Sequence, residues 1–467
     1  MRRVHLAELR DSWSAWLGVG VAFVVTSFSL ALSALALLSG VAMLRSGVLD
    51  VDDSTALVYL PALNIVFCVL IGASVIGAST SLVVDSRRGS LARLALGGAT
   101  PGQVVSTVLS QLAAVSLASA LLGDVLAYAA LRPTLVVLAT ERGAQVTPAT
   151  PAYAVWPVAL ATLLAVGLAV LGGYRQARRA SRISPVEALR VATAGATERM
   201  TVLRWVGAGL CLAVVVAAYA AVPSITASHT SETISNLFQG SAVILVVCAV
   251  LLGQLAPLLV GPLTRAWTRL VPSPDPCWDL ARGTTVARGA RLTKSVVPVM
   301  TAIGLLFGMV ALADTLSASG VANGEDTRLE HAGPLSLLTF FGLPLLIALA
   351  GGVGSLVMMS KQRDAELALS GIIGTTPAQR AAMPVLEAVM ITATGALLSL
   401  VVVAVPITFL AVGFPAAGFR FAFAPSWSVF AVALVTTLLI TVAATLLPTL
   451  ASLRRPEPRV IARLVAE

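Results

Sequence analysis

The chain has 467 residues, 57% of them hydrophobic and 11% charged, with a mean hydropathy of +0.92. A soluble domain needs about 25% charged residues to cover its surface, so the composition excludes a water-exposed globule and implies a chain that meets lipid over most of its outside. The net charge of +9 would suggest a nucleic-acid partner in a soluble protein. Here the basic residues sit in short connections between apolar runs, with no aromatic-interleaved basic stretch, which excludes nucleic acid and reads as a topology signal.

A bilayer core about 30 Å thick takes about 20 apolar residues per helix. In chain order, runs of that length fall at 14–40, 57–84, 103–131, 153–173, 203–222, 239–264, 295–315, 335–359, 382–413 and 427–450, which makes ten spans in an all-α polytopic membrane protein. Ahead of them, Arg3–Trp13 reads as an amphipathic cytoplasmic helix within an N-terminal segment 1–13. The first run carries Ala34-Leu35-Ala36, a small-residue pattern like a signal cleavage site, but its apolar stretch is far longer than a signal peptide's core and reads as an uncleaved span. With a cytoplasmic N-terminus, the inner connections and tails hold 26 of the 31 basic residues and the outer side only Arg45, Arg132, Arg142, Arg328 and Arg420. Both termini are then cytoplasmic. The outer connections are all short, too short for an external domain to fold.

Sliding the sequence on itself by 276 residues lays Arg87–Gln103 on Arg363–Gln379 without a gap. Identities are Arg87/Arg363, Leu91/Leu367, Ala92/Ala368, Gly98/Gly374, Thr100/Thr376, Pro101/Pro377 and Gln103/Gln379, and Leu96/Ile372 is conservative. Both copies join one span to the next on the inner side, the mark of two parallel halves. Thr-Pro-x-Gln is a helix start in which Thr caps, Pro takes the first turn and Gln reaches back. Gly98 and Gly374 suit the left-handed residue that ends the preceding helix. Leu91 and Leu367 are expected to be exposed on these hairpins and available to a docking protein. A second capped start is expected at Ser184-Pro185-Val186-Glu187, behind the basic run Tyr174–Arg182, with Leu453–Leu464 in the same place at the end of the chain. These basic stretches would also lie on anionic lipid headgroups.

A cytoplasmic L-A-x-x-x-x-x-G-x-T-P-x-Q turn over Leu91–Gln103, followed by A-R-R-A-x-R-x-x-P-x-E-A-L-R over Ala177–Arg190, resembles the FtsX-like permease domain of ABC transporters. The second half matches more loosely. The arrangement resembles the ten-span BceB-like permeases: a four-span module at 14–190, a linker with spans five and six at 191–294, and a second four-span module with the cytoplasmic tail at 295–467. That resemblance implies two related four-helix modules joined by two central helices, a bacterial plasma-membrane location and a cytoplasmic ABC ATPase partner in two copies. It also implies coupling through Arg87, Leu91, Gly98, Thr100, Pro101, Gln103, Arg363, Leu367, Gly374, Thr376, Pro377 and Gln379. Relatives of the MacB and Lol types carry large periplasmic domains, and BceB-like ones carry one between spans seven and eight. Here those gaps are about 16 and 19 residues, so a substrate would be met within the bilayer or its outer leaflet.

Other polar residues read as follows. Asp124 lies inside the third span, where a carboxylate is either structural or functional. Gln111 and Glu387 share a repeat position in spans three and nine and read as interhelical polar contacts first. Beyond Asp124 and Glu387 the spans are expected to hold almost no ionisable group, which argues against an ion-coupled secondary transporter. A non-transporting regulator of an envelope process is a third class. Gly351, Gly352 and Gly354 in span eight permit close helix approach. His5, His229 and His331 have no ligand spacing, the four cysteines form no CxxC pair, and neither Lys294 nor Lys361 closes a nucleotide-phosphate loop. No metal, cofactor or catalytic constellation is expected, and ATP hydrolysis would belong to a separate subunit. Cysteines introduced at Asp52 or Glu325 should be labelled by an impermeant thiol reagent applied outside, and those at Ser90 or Ser184 should not; labelling at Ser90 would invert the topology.

Overall fold

The computed structural model describes residues 13–47, 55–87, 91, 96–140, 151–181, 200–226, 231–271, 275–287, 289–324, 334–358, 371–372 and 374–453. The described residues form helices and no strand. In order these are α1 (Trp13–Arg45), a π-helical turn (Thr55–Tyr59) leading into α2 (Leu60–Ser86), α3 (Pro101–Thr140), α4 (Val155–Ala180), α5 (Val202–Ala220) and the short α6 (Val222–Thr226). They continue with α7 (Ser231–Arg269), α8 (Pro276–Ala287), α9 (Gly289–Ala322), α10 (Pro334–Met358), α11 (Pro377–Ala416) and α12 (Trp427–Leu453). Pro opens α3, α8, α10 and α11, where its missing N–H costs nothing. Among the described residues ten helices are long and apolar enough to cross a membrane, at the places the apolar runs predict. The segments expected as an amphipathic N-terminal helix, as the capped start at Ser184 and as the basic tail after Leu453 lie outside the described residues, apart from Trp13 at the start of α1.

The helices pack as two units. In the first, α1 is the most enclosed span and packs against α2, α3, α4 and α10. Two crossings bring backbones together. A side-chain carbon on Gly123 of α3 would lie 2.4 Å from the Val24 carbonyl oxygen, and one on Gly354 of α10 would lie 2.3 Å from the Gly18 carbonyl oxygen. Dispersion over such close approaches holds helices together in lipid, where burial of apolar surface supplies no drive. Gly351, one turn before Gly354, rests against Val75 of α2, so the glycines that permit close approach in the sequence make it on both neighbours. By chain order α10 belongs to the second module, yet its glycine face is filled by α1 and α2 of the first unit.

In the second unit, α9 is the most enclosed span, packed on α7, α11 and α12, while α5 and α12 are the least enclosed. The short α8 lies on α11, burying Trp278 and Ala281 against Met390. Beyond α11, Asn323 at the end of α9 clasps Arg420 at both backbone groups: its Oδ1 accepts from the Arg420 N–H at 2.7 Å and its Nδ2 donates to the Arg420 carbonyl at 3.0 Å. Ser319 adds a bond to the Ala422 N–H at 3.0 Å. These bonds hold the extended stretch before α12 against α9.

Gly354→Val should press a branched side chain onto a backbone oxygen that cannot rotate away, at a cost of about 1–3 kcal/mol. The loss should appear as a lowered thermal midpoint of the purified protein, whereas Gly77→Ala, with no atom within 4 Å of the added carbon, should leave the midpoint in place.

Candidate functional site

Each unit carries one hairpin of the expected construction. Gly98 has φ +90° and Gly374 φ +102°, the left-handed region in which a side chain is strained. Both following helices begin with a complete capping box. Gln103 Oε1 accepts from the Thr100 N–H at 2.9 Å, while Thr100 Oγ1 accepts from the Gln103 N–H at 3.4 Å. The equivalent bonds between Thr376 and Gln379 are 2.9 and 3.3 Å. Two orphan donors of each first turn are thereby satisfied without help from the membrane or a partner.

The side chains around the first hairpin differ from expectation in one respect. Leu91 is not exposed: at 4% it is packed among Val84, Val104, Val108 and Ala177. The apolar residues that do face outward are Leu96, 60% exposed, and Ile372, 64% exposed, the conservative pair of the repeat. Leu91 stacks on the ends of α2, α3 and α4. Arg363 and Leu367 lie outside the described residues.

Arg87 also turns inward. Its guanidinium donates from Nη1 to Gln111 Oε1 on α3 and lies over the Trp16 ring of α1, 5.7 Å from the ring centroid. Two residues singled out separately in the sequence are thus one interaction, which binds the end of α2 to α1 and α3. It is a charge-assisted hydrogen bond with a cation–π contact on the other side. Glu387, at the repeat position of Gln111, is half-buried on α11 next to Leu386, which packs on the Trp278 cluster.

Deeper in the first unit, Asp124 of α3 accepts at Oδ1 from Ser27 Oγ of α1 (2.8 Å) and lies 2.5 Å through Oδ2 from Thr162 Oγ1 of α4. The second unit holds a further intramembrane carboxylate that corrects the expectation of Asp124 and Glu387 alone. Asp314 of α9 accepts from Ser426 Oγ, just before α12. It was legible as an acidic residue inside the seventh apolar run; its partner was not, because Ser426 is 112 residues away.

Among the described residues no three His, Cys, Asp or Glu side chains converge as metal ligands, and the four cysteines are unpaired thiols. Burial pushes the Cys277 thiol of α8 above its ordinary range, helped by the neighbouring Asp275 carboxylate.

Among the described residues, ten long helices that expose apolar side chains along their length define a polytopic membrane protein. The FtsX-like permease C-terminal family matches at residues 63–185 and again at 338–456, together just over half of the chain. The chain belongs to the FtsX-like permease family. A comparison with curated proteins gave no match.

Gln111→Leu removes the Arg87 acceptor and should cost about 1.5–3 kcal/mol, the range for a hydrogen bond to a charged group. Thermal unfolding should show that loss, while Gln111→Glu, which offers Arg87 an ionised acceptor, should keep the wild-type midpoint or raise it.

Proposed function

We propose that the chain is the membrane-spanning subunit of an ABC transporter, moved by a separate cytoplasmic ATPase that docks on the two hairpins. The observation that carries the reading is the duplicated hairpin itself. Each family match contains a sharp left-handed turn, a self-sufficient capping box and one exposed apolar side chain, Leu96 or Ile372, on the tip. An isolated exposed leucine on a soluble surface means little. Two at equivalent places, on turns rigid enough to transmit a push, suit a partner that engages both. Two equivalent docking places fit two ATPase copies.

On this reading both termini and both hairpins are cytoplasmic and the membrane is a bacterial plasma membrane. The work done is export, extraction or release of a lipophilic molecule or membrane-active peptide. The lipid-facing character of α4, α5 and α12 and the short outer connections support a substrate that enters from the bilayer.

Co-expressed with its ATPase, the chain should copurify with it, and alone it should show no ATP turnover. Leu96→Asp and Ile372→Asp should each reduce copurification, and the double variant should abolish it, with membrane insertion unchanged. Leu91→Asp should instead lower thermal stability. Normal ATPase binding by the double variant, or robust turnover by the isolated chain, would sink the proposal.

A further inference from the structure

Asp124 is 5% exposed and sits where three helices of the first unit meet. Its depth follows from α4, which carries the exposed Trp156 in its first turn, with the exposed Tyr153 just before the helix, aromatic residues typical of a membrane interface. Thr162 is six residues further along, so the carboxyl group lies ~9 Å below that level, inside the apolar region.

Among the described residues no cation is placed to balance a negative charge there. Tyr128, one turn along α3, spends its hydroxyl on the Ala154 carbonyl at 2.8 Å. Arg132 is two turns along the same helix, ~12 Å away in rise. On α1, Arg45 is eighteen residues from Ser27, ~27 Å. On α4, Tyr174 and Arg178 are twelve and sixteen residues from Thr162, ~18 and ~24 Å in the opposite direction. Tyr59, in the turn that packs on α1 and α3, is exposed. On α2, Cys68 is a buried thiol hydrogen-bonded to Ser33. The polar neighbours of Asp124 are two hydroxyls, one each from α1 and α4.

The protons can be counted. A hydroxyl has one proton and two lone pairs. Thr162 Oγ1 is 2.9 Å from the Val158 carbonyl as well as 2.5 Å from Asp124 Oδ2. If Asp124 is ionised, the one Thr162 proton must serve both oxygens, and an anion stands in the apolar region with two neutral donors. If Asp124 is protonated, every bond has its own proton. Ser27 donates to Oδ1, the acid donates from Oδ2 to Thr162, and Thr162 donates to Val158. A carboxylate buried in apolar surroundings without a balancing charge neutralises itself by taking a proton.

We infer that Asp124 is a proton-binding site: a neutral carboxylic acid that closes a hydrogen-bonded chain from Ser27 of α1 through α3 to Thr162 and Val158 of α4. The site is independent of ATPase docking. It makes the junction of α1, α3 and α4 proton-dependent, because loss of the proton removes the donor to Thr162 and leaves a bare anion between the helices.

Infrared spectroscopy of the full-length protein in liposomes tests this, since a protonated carboxyl group absorbs in a carbonyl band distinct from the two stretches of an ionised carboxylate. The wild-type protein at neutral pH should show a protonated-carboxyl band that is lost in Asp124→Asn, with the carboxylate stretches unchanged. Asparagine can also accept from Ser27 and donate to Thr162, so this variant should keep the wild-type thermal midpoint, whereas Asp124→Ala should lower it. Should either variant fold poorly, Ser27→Ala supplies the second readout. Removing the donor to Oδ1 should shift the same carbonyl band to higher frequency. A difference spectrum in which Asp124→Asn removes carboxylate stretches, or a carbonyl band that Ser27→Ala leaves in place, overturns the assignment.

Discussion

A hydrocarbon interior offers no hydrogen bonds, and every polar group this chain carries into it has to be answered by protein. Most of its hydroxyls answer themselves. Thr26 bonds to Ala22, Ser33 to Ser29, Thr80 to Ile76, Thr264 to Val260 and Thr441 to Thr437, each on the carbonyl one turn back. A hydroxyl spent in this way is nearly apolar to its surroundings, and so the spans can be rich in Ser and Thr and remain spans. The informative groups are those that reach another helix: Ser27 and Thr162 at Asp124, Trp267 at Thr394 (3.0 Å), and Tyr219 at the Val405 carbonyl (2.8 Å). These bonds have directions and lengths, whereas apolar contact between helices in lipid has little to fix its register. They pin the rotation of each helix about its axis, and the glycine crossings then fix the separation.

How much of this was legible in the sequence depends on whether the cause is local. The ten spans are a matter of length and apolarity, and the hairpin turns a matter of four consecutive residues; both were readable because no distant residue takes part in them. Gly98 and Gly374 take positive φ for the reason that glycine precedes a capped Thr-Pro start. The choice between Leu91 and Leu96 as the exposed side chain was not readable, because only the packing of Leu91 on residues of α2, α3 and α4 distant in sequence decides between them. The packing of α10 on α1 and α2 was hidden for a different reason. A helix that is apolar all round shows no face in its sequence; its glycines said that something would come close, and not what.

The polar pairs show the same division. Arg87 and Gln111 were both conspicuous, one as a repeat identity and the other as an amide inside a span. Their bond joins positions 24 residues apart on opposite sides of a turn and needed the turn's geometry to be seen. The carboxylates follow suit. Asp124 stands out as a charge in an apolar run, but Ser27 is 97 residues away and is one of many serines in α1.

Arg87 bears on how a hairpin could do mechanical work. A turn joined to its helices only through the backbone would bend when pushed at its tip, and the displacement would be lost within a few residues. Here the residue that closes α2 is tied by its guanidinium to α3 and rests on Trp16 of α1, while Leu91 is sunk among the ends of α2, α3 and α4. The base of the hairpin is therefore part of the packed bundle, with Ala99 also resting on it, while Leu96, Gly97 and Gly98 at the tip are exposed. Force applied at Leu96 reaches four helices at once, and those helices include the pair bridged through Asp124. Packed cores respond to such a load by switching between discrete arrangements rather than by deforming continuously. At the depth of Asp124, α1 and α4 are linked through α3 by its bonds to Ser27 and Thr162, so a rearrangement of these helices would have to remake them.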